Sequence, residues 1–192
     1  MRRVARSWRV IEGVLKENAR SAYEALRPPA PMAGIRKLEE LVGVKLPRAL
    51  VSSLLTHDGM RDRIVVVDLY DYNRLISVAE MAKWWRIVSS DPSDLDGPRF
   101  FHGRRIKGDL RWRRAWVPIA VDAGGNLLAC DLDPGPAGTR SQVFPWQNYG
   151  SPPPRVVAPS YAAWLDAVAE EMAARRFTLD EWGGLHLRKR LG

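Results

Sequence analysis

The apolar positions in the middle of the chain predict a β-meander. Residues 117–121 and 127–132 are apolar runs of average strand length. The Gly-rich segment 122–126 separates these runs, and the Gly/Pro-rich segment 133–138 precedes a third apolar start at residues 141–144. Because glycine and asparagine tolerate the backbone angles of tight turns, both segments predict hairpin connections between antiparallel strands.

The first third of the chain has the apolar spacing of helices. Apolar residues recur every three to four positions over residues 6–26, and the prolines that follow end this predicted helix. A second, short helix over residues 35–42 ends at Gly43, which suits a left-handed cap. A third helix begins at Pro47, where a missing amide costs nothing, and runs to residue 55.

The middle of the chain adds a buried strand and a capped helix. Residues 64–69 are apolar and predict the strand. Ser77 and Glu80 have the spacing of a capping box, so a helix is expected from there to about residue 88.

The C-terminal part predicts one more helix and a tail. Residues 156–157 predict a short edge strand, and Ser160 is the expected cap of the last helix. Phe177, Leu179 and Trp182 then predict a tail that packs back on the body.

Composition narrows the class of protein. The chain has 192 residues, of which 46% are hydrophobic, so a folded domain with a substantial core is expected. Its single cysteine, Cys130, excludes an internal disulfide and favours the cytoplasm. No apolar run reaches the roughly 18 residues that span a bilayer, and the basic N-terminus lacks the apolar core of a signal peptide. We therefore expect a cytoplasmic protein without membrane contact, with a monomer slightly favoured.

The net charge of +8 is concentrated in three stretches. Residues 1–9, 99–114 and 185–192 hold 14 of the 30 basic residues, and the rest of the chain is acidic. The middle stretch is the basic insert, with Arg104, Arg105, Lys107, Arg111, Arg113 and Arg114 around Trp112. Basic residues interleaved with aromatics can bind nucleic acid, or they can form an exposed hairpin that its aromatics anchor to a sheet. We favour the second interpretation.

Candidate chemistry is sparse. His57, His102 and His186 are widely separated and lack the spacing of metal ligands, so a hydrolase that uses His57 and Asp58 is a remote option. Asp122, Asn126, Asp131 and Asp133 could hold calcium, but the regular ligand spacing is missing and turn formation is favoured. We expect neither catalysis nor a metal or other cofactor.

The tryptophans divide into core and contact candidates. Trp8, Trp84 and Trp164 lie on apolar helix faces and are expected in the core. Trp85, Trp112 and Trp146 are the better candidates for exposed anchors of a partner, since large aromatic side chains dominate protein interfaces.

Two blocks of the sequence resemble the SUKH superfamily, in its Smi/Knr-like branch. The first is LEELVGVKLPRALVSSLLTHDG, and the second is PIAVDAGGNLLACDLDP followed by GTRSQV. The match covers roughly residues 8–172. On the family pattern, structural positions fall at Trp8, Ile11, Glu12, Gly59, Pro118, Asp122, Gly125, Asn126, Asp131 and Gly138, and no catalytic residue is transferred.

The resemblance implies a single α+β domain with a twisted, mainly antiparallel sheet and helices packed on one side. It places the domain at residues 8–175, with a basic arm at 1–7 and a C-terminal extension with a basic tail at 176–192. It implies a non-catalytic protein-binding role: bacterial members neutralise toxins, often nucleases, as immunity proteins, and fungal relatives regulate cell-wall synthesis. The alternative is a nucleic-acid-binding accessory protein that uses the basic insert and the Arg-rich termini.

Overall fold

The N-terminal part of the chain is helical. The structure is a computed structural model that describes residues 2–61, 67–68, 74–90, 104–107, 112–147 and 155–187. Its first four helices are α1 (Arg2–Asn18), α2 (Arg20–Ala25), α3 (Met32–Val42) and α4 (Arg48–Leu54).

Helix α1 begins earlier than the sequence predicts. Residues 2–7, expected as a basic arm, form its first turns, because Val4 and Ser7 are buried against the body. The predicted single helix is also interrupted at Ala19, whose φ of −143° and ψ of 67° are not helical. Apolar spacing alone did not reveal this break.

The ends of α3 and α4 follow their local signals. Gly43 ends α3 in the left-handed conformation with φ 75°, as glycine at this position predicts. Pro47 is the N-terminal cap of α4, where its missing amide costs nothing. Both predicted boundaries are confirmed.

The central sheet has four antiparallel strands. They are β2 (Arg74–Leu75), β3 (Trp116–Val121), β4 (Leu127–Asp131) and β5 (Gln142–Trp146), in that spatial order. The predicted meander is therefore confirmed as β3, β4 and β5. Of the strand predicted over residues 64–69, the structure describes only β1 (Val67–Asp68), and the rest lies outside the described residues.

Both faces of the central sheet are covered, because every residue of β3 and β4 is buried. The register places Trp116, Asp131 and Gln142 in one row, so their side chains share a face. Cys130 lies on the opposite face and is fully buried there, near Tyr161. The two faces thus have different neighbours.

Two capped helices complete this part of the fold. Helix α5 (Val78–Ser89) begins at Ser77, whose hydroxyl accepts from the Glu80 amide while the Glu80 carboxylate accepts from the Ser77 amide. Helix α6 (Tyr161–Ala173) begins at Ser160, whose hydroxyl accepts from the Ala163 amide. The predicted capping box and cap are confirmed.

A second, smaller sheet lies at the C-terminal end. It contains β1, β7 (Leu185–Leu187) and β6 (Phe177–Leu179) in this order, with β1 parallel to β7. The prediction of a packed tail is right for Phe177 but wrong for Leu179 and Trp182, which are 49% and 63% exposed. Leu179 ends β6 and Trp182 lies in the turn between β6 and β7, where both side chains face solvent.

The predicted edge strand at residues 156–157 is not formed. Instead, Ala158 forms an isolated bridge with Val143 of β5. With helices, a four-stranded antiparallel sheet and one hydrophobic core cluster among the described residues, the predicted α+β class is confirmed.

Candidate partner-binding surface

The described part of the basic insert lies on the central sheet. Gln142 of β5 donates its Nε2 to the Arg105 carbonyl at 2.7 Å and to Asp131 Oδ2 at 2.8 Å. The same Asp131 carboxylate accepts from the Asp133 amide at 3.0 Å. Because side chains of one row make these bonds, the sheet itself fixes where the insert runs.

Asp131 is an ionisable group inside the fold, with no exposed surface. Burial raises the pKa of its carboxyl, because a charged carboxylate loses water there. The hydrogen bonds from Gln142 and from the Asp133 amide act in the opposite direction. Asp131 is therefore a structural acceptor at the base of the loop that follows β4.

That loop has two glycines that permit close backbone contact with the insert. A Cβ atom at Gly135 would lie 2.5 Å from the Arg104 carbonyl oxygen, and one at Gly138 would lie 2.3 Å from that of Arg105. The Gly135 amide donates to the Arg105 carbonyl and the Ala137 amide to the Arg104 carbonyl, each at 2.9 Å. Since real Cβ contacts are longer, neither position has room for a side chain.

Asp133 connects the loop to the insert by charge. Its carboxylate pairs with Lys107 and, at 3.0 Å, with Arg113. The hydrogen bond from Lys107 and the one from Arg113 hold the pKa of Asp133 below its usual value. Two of the predicted partner-binding cations are thus already engaged within the chain.

Trp112 of the insert is buried against Trp146 of β5, so it anchors the insert and is not exposed to solvent. Trp112 is 4% exposed and packs edge-on against Trp116 and Trp146, at 5.6 Å between ring centroids in both pairs. Trp146 is 5% exposed. The prediction that Trp112 and Trp146 are exposed anchors is therefore wrong, because both fill the face of the sheet under the insert.

The third predicted anchor, Trp85, is half-buried on α5. Its Nε1 donates to the Arg114 carbonyl at 3.0 Å. Trp84, expected in the core, is also half-buried, whereas Trp8 and Trp164 are fully buried as predicted. Trp85 therefore holds the chain that enters β3.

Two arginines hold the end of α3 against the central sheet. Arg140 donates to the carbonyls of Lys45 and Leu132 at 2.9 and 3.2 Å. Arg114 donates to the Leu41 carbonyl at 3.4 Å. Cations near the carbonyl end of a helix are stabilising, so both contacts have a structural reason.

These contacts bring exposed cations together, and we call the group the basic edge. Arg104 and Arg105 are exposed, and their backbone is fixed on the loop after β4. Arg114 and Arg140 are also exposed, and none of the four forms an ion pair within the described part of the chain. The basic edge therefore presents Arg104, Arg105, Arg114 and Arg140. Arg111, the remaining predicted cation, lies outside the described residues.

Sequence reasoning missed Arg140 as a member of the basic edge. Arg140 belongs to the Gly/Pro-rich loop, 35 positions beyond Arg105. The spacing along the chain therefore gave no sign of their proximity. The Gly-rich composition of the loop was the only available signal, because it indicated that another backbone comes close.

His57 and Asp58 have structural partners. The ring nitrogens of His57 contact the Arg27 carbonyl at 2.8 Å and Glu12 Oε1 at 2.9 Å. Asp58 Oδ1 accepts from the Val78 amide at 2.7 Å. Both side chains thus tie helices together, and nothing in these contacts resembles a nucleophile with its base. His102 lies outside the described residues.

Two of the four possible calcium ligands, Asp122 and Asn126, form a turn. Asp122 Oδ1 accepts from the Asn126 amide at 2.8 Å and Oδ2 from its Nδ2 at 2.7 Å, while Gly125 has φ 80°. Such bonds are the Asx chemistry of a tight turn. Across the described ranges, no three His, Cys, Asp or Glu side chains are grouped as metal ligands.

The other positions of the family pattern lie in the core or at close contacts. Trp8 donates its Nε1 to Ser53 Oγ at 2.9 Å, and Ile11 is buried beside it on α1. Gly59 has φ 69°, and a Cβ there would lie 2.4 Å from the Ile76 carbonyl carbon. Pro118 lies in β3, opposite Ala129. These positions shape the fold and do not form a reactive centre.

Among the described helices, none has the length and apolar character that spanning a lipid bilayer requires.

Comparison with known proteins identifies a family and two relatives that are named as regulators. A sequence model of the SMI1 / KNR4 family (SUKH-1) matches residues 29–167. A glucan synthesis regulatory protein of Neurospora crassa is 27% identical over 216 aligned residues, and these cover 93% of this chain. The cell wall biosynthesis/cell cycle regulator smi1 of Schizosaccharomyces pombe is 31% identical over 201 residues, again 93% of this chain. The chain spans 40% and 38% of the lengths of these two relatives.

Proposed function

Because the chain belongs to the SMI1 / KNR4 family (SUKH-1), we propose that it is a non-catalytic regulatory protein that acts by binding a partner protein. The family membership confirms the resemblance predicted from the sequence. Both relatives are named as regulators, neither as an enzyme. The engaged contacts of His57 and Asp58 agree with a role that needs no reactive centre.

The observation that carries the proposal is the basic edge. All four residues are exposed, and hydrogen bonds fix the backbone of Arg104 and Arg105. The guanidinium groups of Arg114 and Arg140 are held in place by their bonds to backbone carbonyls. Guanidinium groups favour carboxylates, with which they form paired hydrogen bonds. The partner surface that fits the basic edge is therefore acidic, and opposite charges would steer and orient the encounter.

The finer form of the proposal is an immunity-type role, in which the partner is a toxin. A toxin neutralised through the basic edge would present an acidic contact face. Co-expression tests this form: if a toxin gene neighbours the gene of this chain, the chain should restore growth of cells that produce that toxin, and a variant with Arg104→Glu and Arg105→Glu should not. If the chain gives no protection against such a toxin, the immunity form fails and the regulatory form stays.

Site-specific crosslinking tests the general proposal. Ala137 is exposed, and its amide contacts the Arg104 carbonyl. A photo-crosslinking amino acid at Ala137 should therefore capture a protein bound at the basic edge in living cells. Calorimetric titration of the full chain with the purified partner then gives the Kd.

Charge-reversal variants test whether the partner binds the basic edge itself or responds only to the net charge of the chain. Arg104→Glu with Arg105→Glu should weaken the Kd at least about tenfold, since several charge-assisted bonds are lost. Arg9→Glu with Arg36→Glu makes the same change in net charge at exposed positions elsewhere and should leave the Kd unchanged. Equal weakening by both pairs, or no crosslinked protein, would contradict the proposal.

The nucleic-acid alternative has its own measurement. If the basic edge bound phosphates, labelled single-stranded RNA or duplex DNA would bind at low salt, and the affinity would fall steeply as salt is added. Tight binding with such a slope, abolished by Arg104→Glu and Arg105→Glu, would replace the protein partner with a nucleic acid.

A further inference from the structure

A groove of about 480 Å³ runs between α1 and α6. Arg3 pairs with Asp166 near one end of the groove, and farther along α1 Asn18 contacts Arg175, which follows α6. The two helices therefore run in the same direction. The lining side chains come from Arg2, Arg3, Arg6, Ser7 and Val10 of α1 and from Asp166, Ala169, Glu170 and Ala173 of α6.

One end of the groove carries a surplus of positive charge. The Asp166 carboxylate accepts from Arg3 and from the Ser7 hydroxyl, so its own capacity is taken within the chain. Arg2 and Arg6 are exposed and form no ion pair with any described residue. The first turn of α1 contains no acidic residue. Two guanidinium groups are therefore available to carboxylates from outside.

The other end of the groove is apolar. Val10 is half-buried, Ala169 is buried and Ala173 is exposed, so small and aliphatic side chains form its floor. Glu170, an exposed carboxylate, stands on the α6 wall beside them. Glu170 repels peptide carboxylates as it does phosphates, so charge at this end favours neither class of partner. The apolar floor suits an aliphatic side chain, and this favours a protein segment over a nucleic acid.

We propose that this groove binds a short acidic segment of a partner protein, with carboxylates on Arg2 and Arg6 and an aliphatic side chain over Val10 and Ala173. The inference rests on the proposed protein-binding role but does not need the basic edge. The match to the family model ends at residue 167 and begins at residue 29, so it leaves out α1 and most of the α6 wall.

Labelled peptides of about twelve residues test the inference on the full chain by fluorescence anisotropy. The first repeats Glu-Glu-Ala-Leu and carries both features of the proposed segment. The second repeats Lys-Lys-Ala-Leu and reverses the charge, and the third repeats Glu-Glu-Ser-Gly and lacks the aliphatic side chain. The first peptide should bind at least about tenfold more tightly than either of the others.

Variants locate the binding. Arg2→Glu with Arg6→Glu should weaken binding of the first peptide at least about tenfold, whereas Arg9→Glu with Arg36→Glu should not. Ala173→Trp should also weaken binding, because the indole occupies the groove from an exposed position where folding tolerates it. Circular dichroism and urea unfolding verify that each variant is folded.

Several results would overturn the inference: no binding of the first peptide, equal binding of the charge-reversed peptide, or loss of binding in the Arg9 and Arg36 pair as well.

The groove inference and the basic-edge proposal can each be wrong without the other. If crosslinking at Ala137 identifies a partner but the peptides do not bind, the groove inference is wrong and the proposed function stands. If the peptide binds in the groove and nothing crosslinks at Ala137, the basic edge is wrong and the groove stands.

Discussion

The two connections of the central meander have similar compositions but different partners. The turn between β3 and β4 is closed by its own residues, since Asp122 accepts from the amide and side chain of Asn126. The loop between β4 and β5 instead holds a distant segment, through the bonds of Gly135 and Gln142 to the Arg105 carbonyl. Glycine and aspartate alone thus do not distinguish a turn from a docking surface.

The two connections differ in how much free space lies beside their glycines. A Cβ at Gly124 in the first would lie 3.4 Å from the nearest atom, an Asp122 oxygen, which is an ordinary contact. At Gly138 in the second, it would lie 2.3 Å from the Arg105 carbonyl oxygen. Gly124 of the first connection therefore has room for a methyl group, whereas Gly138 of the second has none.

The largest expected effect follows from that difference. Gly138→Ala should lower the free energy of unfolding by about 3 kcal/mol, because overpacking moves the backbone of the insert. Gly124→Ala is the matched control and should stay within about 0.5 kcal/mol of the wild type. Urea unfolding measures both, and equal losses at the two positions would remove the distinction.

A smaller loss is expected when the donor beneath the insert is removed. Gln142→Leu leaves the Asp131 carboxylate and the Arg105 carbonyl without the Nε2 donor, which should cost about 2 kcal/mol. Hydrogen exchange should also become faster at the Gly135 amide, which donates to the same carbonyl. Unchanged exchange there would show that the insert is held in place without Gln142.

The first connection should respond only locally. Gly125 has φ 80°, so Gly125→Ala should cost about 1 kcal/mol in backbone strain. Hydrogen exchange at residues 104–107 should remain as in the wild type, because no hydrogen bond or ion pair among the described residues joins this turn to that segment. Faster exchange at 104–107 would mean that the two connections are coupled.

The pH dependence of stability should carry the signature of Asp131. Because burial raises its pKa in the fold, its contribution is complete below the unfolded pKa of about 4 and is lost as pH rises through the folded pKa. In an Asp131→Asn variant, the side chain at this position does not ionise. The unfolding free energy of the variant relative to wild type should therefore improve as pH rises from about 4. A difference that is independent of pH would contradict this.

The smallest effect on stability is expected at the surface of the insert. Arg104→Glu with Arg105→Glu should change the free energy of unfolding by less than about 0.5 kcal/mol per site, because both residues are exposed and form no ion pair with a described residue. Thermal unfolding measures this directly. A large loss would show that these side chains hold the insert, which would make them unsuitable for testing partner binding.

Local signals in the sequence predicted local structure well. The left-handed cap at Gly43, the Ser77 capping box and the Asx turn at Asp122 each depend on residues within a few positions of one another. Apolar runs and the Gly-rich segments between them predicted the meander, because its strands are buried on both faces and the runs are therefore continuous. The class of the fold followed from these elements and from the family resemblance.

Long-range contacts were beyond the reach of the sequence. The sequence predicted Trp112 and Trp146 as exposed anchors. This was wrong because their burial depends on the insert folding over the sheet. Arg140 and Lys45 are 95 positions apart, and nothing in their spacing indicated a hydrogen bond. The short strands β2 and β6 also escaped prediction, since two or three residues give no detectable period.

The fully buried position of Cys130 gives the chain an intrinsic reporter. Burial raises the pKa of its thiol, and the Sγ atom lies 3.7 Å from the Ser141 carbonyl oxygen. An alkylating reagent requires an accessible thiolate, so it reacts only after β4 has separated from its surroundings. Since the chain has one cysteine, the rate of alkylation measures how often the centre of the meander opens, without any engineered label.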